Sequence, residues 1–359
     1  MSLRERLRGL VGFFRRTERH VQQHQPPALR ERVDHVILLD GTMSVLDDGE
    51  ETNVGLIYKL LDEASHSRRI AILYEAGNQW EDWSKTLDII EGRGINRQIQ
   101  RAYGWLASHY RPGDRIFLIG YSRGAYAARS LAGVIDEVGL LKAEHATERL
   151  VREAYRHYRF EPDAEVHEAF VAAHCHRDVP IEMIGAFDTV KSLGFRAPFV
   201  WKWEEVKHAF HNHALGPHVR HGFHALALDE NREAFAPVLW ECPPDHAGVV
   251  EQVWFRGSHG DVGGQLAGFY PARRLANIPL VWMLERIERC DLSLPDNWRS
   301  RFPTDPDAQS VGTWRGWGKY FLARKRRSVG QDPTESIHPT ALGRSKRADA
   351  MPELAPENA

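Results

Sequence analysis

Ser122 lies midway between two glycines in Gly120-Tyr121-Ser122-Arg123-Gly124. A serine hydroxyl is a poor nucleophile at neutral pH. It attacks a carbonyl when a histidine takes its proton and a carboxylate orients that histidine. Glycine on both flanks permits a turn too tight for side chains, which presents the hydroxyl on a strained backbone. The five-residue pattern is weak by itself, because its residues are common. Its surroundings sharpen it. Ile116-Phe117-Leu118-Ile119 ahead of it reads as a buried strand, and Ala125 to Val134 behind it as a helix with a small-residue face. Strand, turn and helix in that order are the context of a nucleophile elbow. The helix N-terminus beside the serine favours developing negative charge. The plainer alternative is a serine that only caps the helix.

In α/β hydrolases the partners follow the serine in the order acid, then histidine, each in a loop after a strand. Asp188 is the first acid after the elbow that closes a clear core strand. His259 stands in the glycine-rich loop Arg256 to Gly264, just past the last clear strand. The expected row is therefore Ser122, Asp188, His259. His224 is the second choice of base. Asp261 is an alternative acid, or a group that steadies the site. For the oxyanion, the Arg123 N–H directly after the serine is one donor, and the Asp40-Gly41-Thr42 turn offers another. A loop cap is an equal reading of Asp40. An aspartate nucleophile there is rejected, because Leu38 and Thr42 occupy the places where that motif needs a second acid.

The chain has 19 histidines, and His208, His211, His213, His218, His221 and His224 crowd one region. Their spacing matches no familiar ligand pattern, so solvated or capping histidines are expected and no metal or cofactor is predicted.

The elements that must carry these groups alternate. Val33 to Leu39 reads as a strand closed by Asp40-Gly41-Thr42, and Thr52-Asn53 caps a helix to about Ala64. Ile70 to Tyr74 is a second strand and Ile95 to Tyr110 a second helix, turned by Arg111-Pro112-Gly113-Asp114 into the elbow strand. Strand and helix in strict alternation argue for a mainly parallel central sheet with helices on both faces. Further on, Lys142 to Arg177 is helical with a break at Glu161-Pro162, and Pro180 to Phe187 is a core strand. Phe195, Phe199, Trp201, Trp203 and Phe210 form an aromatic segment that reads equally as a lid over the site or as core. Val219 to Asp229 reads as a helix, Val238-Leu239-Trp240 and Val249 to Phe255 as the last strands, and Leu275 to Cys290 as an apolar helix.

Composition limits the alternatives. The 359 residues carry 42% hydrophobic and 27% charged side chains with a net charge of −2, which fits a globular protein without a pull towards nucleic acid. Three scattered cysteines make no disulfide framework and fit a reducing compartment. No apolar run reaches the ~20 residues of a membrane span, and arginines interrupt every candidate signal core. A cytoplasmic location follows, with signal-independent export left open. Residues 1–32 hold eight arginines and three glutamates with apolar residues at helical spacing. This basic amphipathic helix either packs on its own domain, the preferred reading, or makes a peripheral membrane contact.

Several segments together carry a resemblance. In order they are HVILLDGT, ETNVGLIYKLL, GYSRGAYAARSLAG, GAFDTVKSLG, HALALDENREAFAPVLW, QVWFRGSHGDVGG and IPLVWML, spread over about residues 33–290. They resemble the uncharacterised α/β-hydrolase domain family that includes the catalytic domain of type VI secretion phospholipase effectors. That resemblance implies a Ser-Asp-His hydrolase with phospholipase A activity, the nucleophile at Ser122, the acid at Asp188 and the base at His259. The sequence departs from the family pattern at Met43-Ser44, at Asn78-Gln79-Trp80 and at Gly260.

The expected organisation is an N-terminal helix over 1–32, an α/β-hydrolase-like domain over 33–295 with helical and aromatic cap insertions, a C-terminal extension over 296–329, and a disordered tail over 330–359. The expected activity is cleavage of a carboxylic ester, foremost a lipid or phospholipid acyl ester. The alternative is a non-catalytic membrane- or partner-binding module on the same scaffold.

Overall fold

Runs of β-branched and large apolar residues become strands covered on both faces, and the small-residue and amphipathic segments between them become the covering helices. The computed structural model describes residues 31–77, 93–160, 162–190, 215–242, 248–315 and 322–355. The proposed helix over 1–32 (apart from its last two residues), the aromatic segment 195–210 and His208, His211 and His213 lie outside the described residues.

Strand β1 (Asp34–Leu39) leads through α1 (Asn53–Ser65) to β2 (Ile70–Glu75). Thr52 caps α1, its Oγ1 accepting the Gly55 N–H at 3.0 Å. Helix α2 (Arg93–His109) then leads to β3 (Arg115–Tyr121) and α3 (Arg123–Val138). A small two-stranded unit, β4 (Leu140–Leu141) with β5 (Cys175–His176), brackets α4 (Glu148–Phe160) and α5 (Ala164–His174). The chain returns to the main sheet with β6 (Ile181–Phe187), β7 (Val219–Ala227) and β8 (Val249–Phe255). After them come α6 (His259–Gly263), α7 (Arg273–Arg289) and β9 (Glu335–Ile337).

The seven main strands run in the order β2-β1-β3-β6-β7-β8-β9, all parallel. Alternate side chains feed two cores. Ile37, Leu39, Ile116 and Leu118 pack against α2, α3 and α4, while Val36, Leu38, Phe117 and Ile119 pack against α1 and α7. The architecture is α/β-hydrolase-like. Because β1 leads first to β2 on one side and then to β3 on the other, the strand order reverses between β1 and β3. Ligand crevices of open parallel sheets form at the carboxyl ends of strands at such a point. Asp40 and Ser122 follow those two ends.

Three sequence expectations are corrected. Val219–Ala227 is a strand, not a helix. Its alanines and leucine favour a helix, but it lies between β6 and β8 with both faces covered, and that setting overrides propensity. Residues 238–240 are not a strand. The Gln252 side chain takes the Trp240 N–H at 2.8 Å and donates to the Trp240 carbonyl at 2.9 Å, which replaces a ladder. The described part of 330–359 is not disordered. Strand β9 pairs with β8, and Ile337, Ala341 and Ala348 complete a third core with Leu226, Leu228 and Trp254. Among the described residues no helix is long and apolar enough to cross a membrane.

Candidate active site

Strand β3 turns into α3 through Ser122, which takes φ +58 and ψ −121. An L residue pays for positive φ in steric strain, so the surroundings must impose it. Here a Cβ on Gly120 would meet the Ala125 nitrogen at 2.6 Å, and one on Gly124 would meet the Leu39 carbonyl oxygen at 2.0 Å. The helix start is thereby pressed onto both β3 and β1. The Ser122 N–H continues the ladder to the Phe187 carbonyl at 2.9 Å.

Three side chains from three loops form a row. Ser122 Oγ lies 2.9 Å from His259 Nε2, and His259 Nδ1 lies 2.5 Å from Asp188 Oδ2. All three groups are buried. Asp188 follows β6 and also has positive φ, +43. Burial alone raises its carboxyl pKa. The Arg327 charge and the His259 hydrogen bond more than reverse that, holding it well below the usual carboxylate range. An ionised Asp188 only accepts, so His259 Nδ1–H donates to it and Nε2 is left to accept from the Ser122 hydroxyl.

His259 is fixed on every side. Its N–H donates to Glu230 Oε2 at 3.1 Å, and its ring lies 4.8 Å from those of Tyr121 and Phe235. Glu230 is fully buried but paired with Arg232, whose Nη2 donates to it at 2.6 Å. Burial pushes its pKa up, and the Arg232 hydrogen bond and charge bring the net below the ordinary value.

The remaining predicted residues sort themselves around this row. Asp40 is a hub for its loop. Its carboxylate accepts from Thr52 Oγ1 at 2.6 Å, Tyr74 OH at 2.7 Å and the Gly41 N–H at 2.7 Å. Burial nevertheless pushes its pKa up to about 6. The Gly41–Thr42 turn lies against the serine, since a Cβ on Gly41 would sit 3.5 Å from Ser122 Cβ. Gly41 is corrected as an oxyanion donor, because its N–H is bound to Asp40. Thr42 is held from two sides. Its Oγ1 accepts from the Arg123 guanidinium, and its carbonyl accepts from Gln265 Nε2 at 2.9 Å. Burial pulls the Arg123 pKa down to about 10. The Arg123 N–H opens α3, where no carbonyl one turn back exists to receive it.

Asp261 is not the acid of the row, since His259 Nδ1 faces Asp188. Its oxygens accept from Ser258 N and Oγ, both at 2.7 Å, Ser310 Oγ at 2.6 Å and the Val311 N–H at 2.8 Å. It closes a capping box on α6 and so aims His259. The second-choice base His224 is fully buried on β7 with Nε2 accepting the Thr189 N–H at 3.1 Å, and burial lowers its pKa to about 3. It is a neutral core histidine. Among the described residues no group of three or more His, Cys, Asp or Glu could hold a metal ion.

Sequence reasoning missed Glu230, Gln265, Phe235 and Arg327. Arg327 stands in the basic run Arg324-Lys325-Arg326-Arg327, with no motif around it that points to the site.

The model of the family described as T6SS phospholipase effector Tle1-like, catalytic domain, matches residues 34–286. An uncharacterized protein of Saccharomyces cerevisiae is 26% identical over 235 residues, covering 58% of this chain and 33% of that protein. The chain thus spans about a third of the length of the curated relative it matches. Among solved structures, the Tle1 effector bound to the VgrG spike of the type 6 secretion system is similar at 15% identity and TM-score 0.36, over 69% of this chain and 56% of that one. An uncharacterized protein from Pseudomonas aeruginosa is similar at 15% identity and TM-score 0.44, over 77% and 49%. Esterase 2 of Thermogutta terrifontis is similar at 12% identity and TM-score 0.36, over 76% and 90%. By the family match across residues 34–286, this chain belongs to the Tle1-like phospholipase-effector catalytic-domain family.

Proposed function

We propose that the protein is a serine hydrolase that cleaves carboxylic esters, with lipid or phospholipid acyl esters as its substrate class. The observation that carries this is the row in which His259 lies 2.9 Å from Ser122 Oγ and 2.5 Å from Asp188. Family membership supports the lipid part of the reading.

In the reaction, Ser122 Oγ attacks the ester carbonyl while its proton passes to His259 Nε2. Asp188 stabilises the imidazolium through Nδ1–H without itself taking a proton. The Arg123 and Thr42 N–H groups donate to the oxyanion of the tetrahedral intermediate. Collapse expels the alcohol, which takes the proton from His259, and leaves an acyl-serine. Water, deprotonated by His259, attacks that ester and releases the carboxylic acid. The strained Ser122 backbone keeps the hydroxyl fixed through both halves.

The test is turnover of a short p-nitrophenyl ester, labelling by a fluorophosphonate, and fatty-acid release from phospholipid vesicles. Wild type is expected to do all three and Ser122→Ala none. Full ester turnover by Ser122→Ala would end the proposal, and ester turnover without fatty-acid release would remove lipid as the substrate class.

A further inference from the structure

The family match ends at residue 286, yet the centre does not. Arg327, 7% exposed, reaches both oxygens of Asp188, with Nη1 2.5 Å from Oδ1 and Nη2 2.9 Å from Oδ2. This is the two-pronged pairing that a planar guanidinium makes and an ammonium does not. The same nitrogens donate to the Ala227 carbonyl at 2.9 Å and the Phe235 carbonyl at 2.5 Å, so the fork is aimed as well as charged. The Ala227 N–H adds a third donor to Asp188 at 2.9 Å.

The segment that delivers Arg327 is tied to the loop that also holds His259. The Lys325 N–H donates to the Asn231 carbonyl at 2.8 Å, and the Glu233 N–H donates to the Ala323 carbonyl at 3.0 Å. Arg324 Nη1 donates to Asn231 Oδ1 at 2.8 Å. Glu230, next in the chain to Asn231, accepts the His259 N–H. The segment therefore reaches two members of the row, one directly and one through this loop.

A carboxyl with no solvent contact favours its neutral form unless a cation compensates. The ionisable groups around Asp188 are His259 from α6, Tyr121 from β3, His224 from β7, and Glu230 with Arg232 from the loop after β7. Arg327 is the permanent cation in hydrogen-bond contact with it. A protonated Asp188 loses the charge that stabilises the imidazolium and is free to present its own O–H to Nδ1, the wrong tautomer for proton transfer.

We propose that Arg327, from outside the family-matched residues, is a positioning residue of the ester-cleaving centre: it clamps Asp188 so that His259 faces Ser122 with an unprotonated Nε2. This rests on the serine-hydrolase reading above.

The experiment uses the full chain. Arg327→Gln and Arg327→Lys are made in the wild-type background and with Asp188→Asn, and kcat/KM for a p-nitrophenyl ester is followed from about pH 5 to 9. Arg327→Gln is expected to lower kcat/KM about tenfold or more near pH 7, the size of one hydrogen bond to a charged group. The loss falls on kcat rather than KM. Its acid limb moves to higher pH, because Asp188 without the guanidinium takes up a proton earlier as pH falls. Arg327→Lys restores part of both. With Asp188→Asn present, changing Arg327 costs less than about twofold. An acid limb in the wild-type position, or an undiminished loss in the Asp188→Asn background, overturns the proposal. If Arg327→Gln does not fold, Arg327→Lys carries the same two readouts. A wild type that neither turns over ester nor labels at Ser122 instead overturns the hydrolase reading itself.

Discussion

Asp188 and Asp40 are both fully buried aspartates after parallel strands, and their surroundings push them in opposite directions. Asp188 meets a guanidinium and stays ionised. Asp40 meets a backbone N–H and the hydroxyls of Thr52, Tyr74 and Ser44, and burial wins. The first difference predicts function. Asp188→Asn keeps the shape but inverts the donor, so kcat should fall by about 10³–10⁴ with the protein still folded, measured as ester turnover beside a thermal melt. The second predicts stability. A carboxyl raised from 3.8 to about 6 holds its proton longer folded than unfolded, so its contribution to stability is greatest below pH 3.8 and falls as pH rises through 6. Asp40→Asn should therefore gain on wild type by about 2 kcal/mol between pH 4 and 7, read from denaturant unfolding at both pH values. Equal pH dependence in the two proteins would count against the raised value.

Which residues could be read from sequence follows from how local their signals are. Ser122 announces itself by its glycines, and Asp188 and His259 by standing at strand ends. Arg327 and Glu230 carry no such mark. Their roles exist only because segments 139 and 29 residues away in the chain meet them. Asp261 stands two residues from His259 without being the acid, its oxygens being committed to Ser258, Ser310 and Val311.

Among the elements, the legible ones were those with a capping residue or a punctuating turn. Thr52 before α1 and the glycines around β3 are examples. Strand β7 was misread because a strand covered on both faces shows no alternation, and its alanines pull towards a helix. The elbow itself gives the sharpest test at this scale. A Cβ on Gly124 would lie 2.0 Å from the Leu39 oxygen and 2.5 Å from its carbon, and both are backbone. Gly124→Ala must push α3 away from β1. It should cost about 3 kcal/mol or more in denaturant unfolding, and it should slow fluorophosphonate labelling even where the protein stays folded. An alanine variant as stable and as reactive as wild type would mean that the close approach of helix and strand is not required.

For the whole molecule, the sheet and its two large cores were legible from the alternation of strands and helices, and the third core was not. Strand β9 is three residues long, and Ala341 and Ala348 are too small to advertise burial. Yet Leu226, Leu228 and Trp254 depend on them for cover. Glu335 adds a polar lock, accepting the Trp254 indole N–H at 2.7 Å and the N–H groups of Gly330, Gln331 and Asp332. A chain stopped after residue 295 should therefore melt lower than the full chain and lose at least tenfold in ester turnover, a factor worth about 1.4 kcal/mol. A shortened chain with full turnover would show that the tail is dispensable to the centre.

The 139-residue gap between Asp188 and its guanidinium partner has a consequence in time. A ribosome releases this chain from its N-terminus onward, so serine, aspartate and histidine emerge well before residue 327 does. Until then the aspartate is a carboxylate whose counter-ion has not yet been made. A nascent chain therefore lacks this clamp until residue 327 has emerged, a delay set by the order of the residues and by nothing added to them.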